Sequence, residues 1–145
     1  MIARLVIDTN VIVAALRSAK GASAALMLRV AEKRVKPLLT LALVLEIESV
    51  LCRPEHLVAS GLTRELVQGF VDELCGLAEH VQIQFAWRPQ LHDAADEMVL
   101  EAAVNGQADA LVTFNLKDFL PAAGSFGVEV IAPVTALSVF DLMDR

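Results

Sequence analysis

The chain has 145 residues, 56% of them hydrophobic and 21% charged, which fits one domain with a real core and needs no second. No run of about 18 uncharged apolar residues appears, as a membrane span requires, and the first residues lack the charged region, apolar stretch and cleavage site of a signal peptide; the expectation is a soluble, cytoplasmic protein. With 12 Lys and Arg against 18 Asp and Glu the net charge is −6, which argues against salt-driven binding of nucleic acid through a broad basic face, so any such role must come from a local site where bound cations reverse the sign.

In chain order, Leu5 to Ile7 reads as a strand, Asn10 to Leu16 as a helix, and Ala22 to Arg34 as a second helix with Leu26, Val30 and Arg34 on successive turns. Lys36 to Thr40 is a second strand. Leu41 to Cys52 is helical and ends at Arg53-Pro54, because a residue before proline avoids the helical region. Thr63 to Ala78 is a helix with Thr63 as N-cap. Val81 to Phe85 is a third strand, and Asp93 to Val104 a helix stopped by the pair Asn105-Gly106. Ala110 to Thr113 and Val128 to Ile131 are the fourth and fifth strands, and Val134 to Met143 is a closing helix. Strands alternating with helices predict right-handed βαβ units: an α/β class, single-domain fold over 1–145 with a mostly parallel central sheet and helices on both faces.

The isolated Cys52 and Cys75 read as small buried hydrophobes, neither a disulfide framework nor a zinc site. His56, His80 and His92 lie far apart without the spacing of a histidine metal site.

The carboxylates are more informative. In LVIDTNVIV, Leu5 to Val13, Asp8 interrupts an apolar run right where the first strand ends. It is either a helix cap or one member of a site, since sites in parallel sheets form beyond the carboxyl ends of the strands. Asn115 and Asp118 follow the fourth strand and converge on the same edge if both strands are parallel. On the Asp93 to Val104 helix, Asp96 falls in the middle of the apolar stripe of Val99, Leu100 and Ala103, while Glu97 and Glu101 fall on the opposite flank, expected to be solvated. A carboxylate on a core-facing stripe is costly unless something meets it. The plain structural alternative is a buried Asp capping a loop or paired with an Arg. On the Leu41 to Cys52 helix, Glu46 and Glu48 flank an apolar arc centred near Ile47, and periodicity does not choose between them.

LVIDTNVIV, then LALVLEIESVLCRPE, then HDAADEMVLEAAVNGQADALVTFNLKDF, in this order, together resemble a PIN domain, most like the VapC-like toxin nucleases of toxin–antitoxin pairs. The resemblance spans nearly the whole chain, and its third block is the most specific. It implies a PIN-like fold and an acidic quartet at Asp8, at Glu46 rather than Glu48, at Asp96, and in the segment after Val112-Thr113. There this chain departs: many relatives carry Asp where it has Asn115, so either Asp118 supplies the fourth carboxylate or Asn115 binds through a neutral oxygen. The resemblance also implies a supporting hydroxyl at Thr113 and a bracing role for Asn10 at the first turn. It further implies RNA as substrate, a homodimer, and a small cognate antitoxin that inserts a segment into the acidic groove.

The residue types suit that chemistry. Mg²⁺ or Mn²⁺ prefers oxygen ligands and keeps several waters, so a few carboxylates (Asp8, Glu46, Asp96 and Asp118) plus substrate phosphates complete a site. Bound metal supplies the nucleophile and stabilises the leaving oxygen, which makes a His or Ser nucleophile unnecessary. Arg17, Lys20 and Lys117 are the nearest basic candidates for phosphate contacts. Two other classes compete. A phosphatase of the haloacid dehalogenase type also begins with a strand-end Asp, but its second Asp is Asn10 here. A PIN-like domain short of one acid, at Asn115, would serve as a binding module without catalysis.

Overall fold

The computed structural model describes residues 2–85 and 90–143. Five strands form the sheet: β1 (Ala3–Ile7), β2 (Val35–Leu39), β3 (Glu79–His80), β4 (Ala110–Val112) and β5 (Val130–Ile131). Their order is β3-β2-β1-β4-β5 and every neighbouring pair is parallel, as the alternation of strands and helices predicts. Successive strand residues face opposite sides of a sheet. Leu5, Val6 and Ile7 are all buried, as are Ala110, Leu111 and Val112, so the two central strands are covered on both faces.

The cover comes from α1 (Thr9–Arg17), α2 (Ala22–Ala31), α3 (Leu41–Leu51), α4 (Pro54–Ser60), α5 (Arg64–Leu77), α6 (Ala94–Gly106), two single-turn helices α7 (Leu116–Phe119) and α8 (Ala122–Ser125), and α9 (Pro133–Val139). Thr40 and Thr63 cap α3 and α5, their hydroxyls accepting the Leu43 and Leu66 N–H groups at 3.1 and 3.2 Å, which satisfies donors that have no partner inside a helix. Among the described residues no single helix is long and apolar enough to cross a membrane. Cys52 and Cys75 are free thiols, and burial pushes the Cys75 thiol up.

Several boundaries differ from the sequence reading. The third strand is Glu79–His80 instead of 81–85. Past the Val81 N–H, which donates to the Leu39 carbonyl, this backbone turns to a side chain: Asn105 Oδ1 accepts the Gln84 and Phe85 N–H groups at 2.7 and 2.8 Å, and its Nδ2 donates to the Phe85 carbonyl. Asn105 is therefore a clamp on that segment and not half of a helix stop. The helix continues to Gly106, where a Cβ would come within 2.9 Å of Leu38 Cδ1, and Gln107 takes the left-handed turn at φ +50°. The second helix ends at Ala31 because Lys33 is left-handed, at φ +63°. The closing helix ends at Val139: Asp141 is left-handed at φ +55°, and the buried Arg29 donates to the Leu142 carbonyl at 2.9 Å. Pro54 does more than end α3, since it opens α4 in the first turn, where a missing N–H costs nothing.

Candidate active site

Asp8 closes β1 at the centre of the sheet. Its backbone N–H continues the ladder to the Val112 carbonyl at 2.9 Å, and its carbonyl accepts the Val11 and Ile12 N–H groups of α1. The carboxylate makes no cap hydrogen bond to α1. It accepts a 2.7 Å bond from the Thr113 hydroxyl, just past the end of β4. The Thr113 Oγ1 in turn accepts the Asn115 N–H at 3.0 Å, which leaves its hydrogen free to point at Asp8. Burial pushes the Asp8 carboxyl up; the Thr113 hydroxyl and the N–H groups of Thr9 and Asn10 pull it part of the way back, and the charge of Asp93 pushes it up again. Asp8 occupies the N-cap position of α1 while its carboxylate also meets the Thr113 hydroxyl and feels the Asp93 charge, a geometry compatible with both sequence readings.

Asp96 stands in the first turn of α6, half-buried at the edge of the stripe that Val99, Leu100 and Ala103 bury. Its carboxyl is raised from 3.8 to about 6, first by burial and then by the charges of Asp8, Asp93 and Asp118. A cleft of about 580 Å³ opens beside it, lined among others by His92, Asp93, Asp96, Lys117 and Asp118. Four aspartates from three parts of the chain thus act on one another at the carboxyl edge of the sheet. Like charges gathered in this way disfavour their own ionised forms, and in a cleft such a group is a functional-site signature.

The remaining expectations divide. Asp118 lines this cleft and Asn115 is not among its lining residues; Asn115 contributes its backbone N–H to Thr113. Lys117 lines the cleft, whereas Arg17 and Asn10 line a second one and Lys20 is exposed in the turn after α1. Asn10 Oδ1 is enclosed without a hydrogen-bond partner among the described residues. Glu46 is half-buried on α3 and is not among the charges that raise Asp8 or Asp96. Glu48 faces elsewhere, lining a cleft with Cys52, Arg53 and Arg64 and raising the Cys75 thiol.

Two residues escaped the sequence reading. Asp93 was visible only as a helix start; it does cap α6, accepting the Ala95 N–H at 2.8 Å, but its charge also bears on both Asp8 and Asp96. Its spacing of three from Asp96 puts the two on one helical face, and that was the available signal. Glu97, expected on a solvated flank, is instead 4% exposed. The chain ahead of α6 folds back over it, and its Oε1 accepts the Gln90 and Leu91 N–H groups at 2.5 and 2.7 Å, which tethers the start of the segment that carries His92 and Asp93 into the cleft.

Whether this donor set suits a metal is decided by its chemistry. Asp8, Asp93, Asp96 and Asp118 offer only carboxylate oxygens, and Lys117 is the one lysine or arginine among the described cleft residues. Hard divalent cations prefer such oxygens and relieve their repulsion. Among the described residues no group of three or more His, Cys, Asp or Glu side chains is gathered closely enough to hold a metal ion, so an ion here would have to draw the carboxylates together and complete its shell with waters and substrate oxygens.

Comparison with known proteins gives one assignment. A model of the PIN domain matches residues 4–117, a span that contains Asp8, Glu46, Asp93 and Asp96 and stops just short of Asp118. Neither a curated protein nor a solved structure matches the chain. PIN domains are typically nucleases that use divalent metals. The five-stranded parallel sheet, the acids at its carboxyl edge and the matched span agree, and the chain belongs to the PIN domain family.

Proposed function

We propose that this protein is a metal-dependent endoribonuclease and the toxin of a toxin–antitoxin pair. The observation that carries the nuclease reading is the gathering of Asp93, Asp96 and Asp118 along one cleft within reach of the Asp8 charge: burial first, and then the charges of Asp8, Asp93 and Asp118, raise Asp96 to about 6, and a bound cation relieves such repulsion. Asp8, Asp96 and Asp118, with Glu46 from α3 and Asp93 beside them, would hold one or two Mg²⁺ or Mn²⁺ ions. Bound there, the metal would supply an activated water and stabilise the oxygen that leaves the phosphodiester. The chain's own residues do the positioning. Thr113 fixes the Asp8 carboxylate and favours its charged form. Glu97 ties the His92–Asp93 wall to α6. Lys117 stands where a phosphate of the substrate would pass.

The toxin role, RNA as substrate, a homodimer and a cognate antitoxin rest on the resemblance of the three sequence blocks to VapC-like proteins. The test is cleavage of single-stranded RNA by purified protein in Mg²⁺ or Mn²⁺ with an EDTA control, and with Asp96→Asn as the negative variant. Cleavage that persists in EDTA or in Asp96→Asn refutes the assignment. A second reading has one observation in its favour: Asn115 stands where many relatives carry Asp, so a binding module without catalysis predicts metal binding and RNA binding with no cleavage. A short DNA-binding reading frame beside this one would support the toxin role.

A further inference from the structure

A second cleft, of about 420 Å³, is lined by Asn10, Val13, Ala14, Arg17, Val50, Arg53, His56 and Phe114. Its chemistry is opposite to that of the acidic one. It contains two guanidiniums and no carboxylate, in a chain of net charge −6. Neither guanidinium has an ion-pair partner among the described residues. Phe114 is 51% exposed, an uncovered aromatic next in sequence to Thr113, the residue that holds Asp8. Two enclosed polar atoms in the lining residues, Asn10 Oδ1 and His56 Nδ1, have no hydrogen-bond partner among the described residues.

An exposed aromatic face flanked by unpaired arginines is the equipment of single-strand recognition, in which bases stack on the ring and the backbone runs over the cations. The volume lies in the range of small-ligand clefts, ~300–1,000 Å³. Position supplies the rest: the segment from Thr113 to Asp118 has Phe114 in this cleft and Lys117 and Asp118 in the acidic one. A strand laid across that segment presents a phosphodiester to the acids and a neighbouring base to Phe114.

We infer that this cleft is a nucleotide subsite for single-stranded RNA, with one base stacked on Phe114 and the adjoining phosphates held by Arg17 and Arg53. The inference rests on the nuclease reading for the identity of the strand, yet its test is separate, because it reads binding and not cleavage. Fluorescence anisotropy of a labelled single-stranded hexaribonucleotide in Ca²⁺, compared with the same oligonucleotide carrying abasic positions, measures the base contribution. Phe114→Ala should raise Kd about 5- to 150-fold, the range for removal of one stacked base, Phe114→Trp should restore tight binding, and Phe114→Leu should not. Arg17→Ala with Arg53→Ala should flatten the dependence of log Kd on log salt by about 0.7 for each phosphate left without its cation. Because Phe114, Arg17 and Arg53 sit at the surface, circular dichroism and thermal melting serve as the check on folding. Unchanged binding in Phe114→Ala, or equal affinity for base-bearing and abasic strands, overturns the subsite and leaves the cleft to a protein partner, while cleavage by the wild type would still uphold the nuclease. Base-dependent binding through Phe114 without cleavage in Mn²⁺ upholds the subsite and removes the nuclease.

Discussion

Replacing Asp96 by Asn removes one charge from the acidic cluster and keeps almost the same shape. In the metal-free protein the Asp96 carboxyl is raised from 3.8 to about 6. At about 1.4 kcal/mol per tenfold change in the proton equilibrium, its ionisation at pH 8 opposes folding by about 3 kcal/mol. Asp96 is only half-buried, so solvent screening brings the expected figure down to about 1–1.5 kcal/mol. Because the folded-state value lies above the unfolded one, this penalty is present in full above pH ~6 and disappears as pH falls towards ~4. Asp96→Asn in EDTA should therefore melt about 2–6 °C above the wild type at pH 8, on the scale of about 2–4 °C per kcal/mol for a chain of this size, and the gap should close by pH 4. Added Mn²⁺ should raise the wild-type melting temperature by mass action and move the mutant little. Differential scanning calorimetry at pH 8 and pH 4, with EDTA and with Mn²⁺, reads all four values. A mutant less stable than wild type in EDTA at pH 8, with RNA cleavage intact, would show Asp96 to be a structural acid and refute this reasoning.

Thr113→Val keeps the shape of a fully buried residue but removes the hydroxyl that holds the Asp8 carboxyl down; the midpoint of Mn²⁺ binding against pH, followed by calorimetric titration, should move upwards, with about 1.5–3 kcal/mol of stability lost for a hydrogen bond to a charged group. Asp118→Asn should weaken Mn²⁺ binding and cleavage about tenfold or more, equivalent to about 1.4 kcal/mol or more, while Asn115→Ala should do so less; full activity in Asp118→Asn would return the fourth ligand to Asn115 or leave a three-acid site. Glu46→Gln should abolish metal-dependent cleavage and Glu48→Gln leave it near normal, as the direction of Glu48 towards Cys75 requires; the reverse outcome in a gel-based RNA assay would show the alignment of this helix to be off by two residues.

The sheet was legible because its inner strands are short β-branched runs bounded by polar residues, and because Asp8 and Asp118 sit just beyond two of them. What failed to show was whatever depends on side chains meeting backbone from elsewhere. The run from Val81 to Phe85 has strand composition, yet Asn105 takes the hydrogen bonds that a neighbouring strand would have used. A helical wheel puts Glu97 on a polar flank, but a wheel carries no information about a segment folding back over that flank with two N–H groups to satisfy. The helices α7 and α8 span four residues each, too few for any period to register. The acids were read one at a time from strand ends and helix faces, while their burial and the action of their charges on one another exist only once the sheet has brought them together. The choice of Glu46 over Glu48 came from family resemblance alone; Glu48 lines a cleft with Cys52, Arg53 and Arg64, and Glu46 is not among the charges that raise Asp8 or Asp96.

The bond between Thr113 and Asp8 joins residues 105 positions apart, and β1 can acquire its neighbour β4 only after everything between them has been made. During synthesis, at about 5–20 residues per second, the first acid waits roughly 5–20 s for the hydroxyl that orients it and for the aspartate that follows. A chain interrupted between α6 and β4 contains Asp8, Glu46 and Asp96 without the β4 strand that completes this sheet edge. Such long-range closure is slow to fold, and under the proposed ribonuclease function it has a use: an unfinished copy emerging from the ribosome lacks the assembled site and leaves the message being read intact.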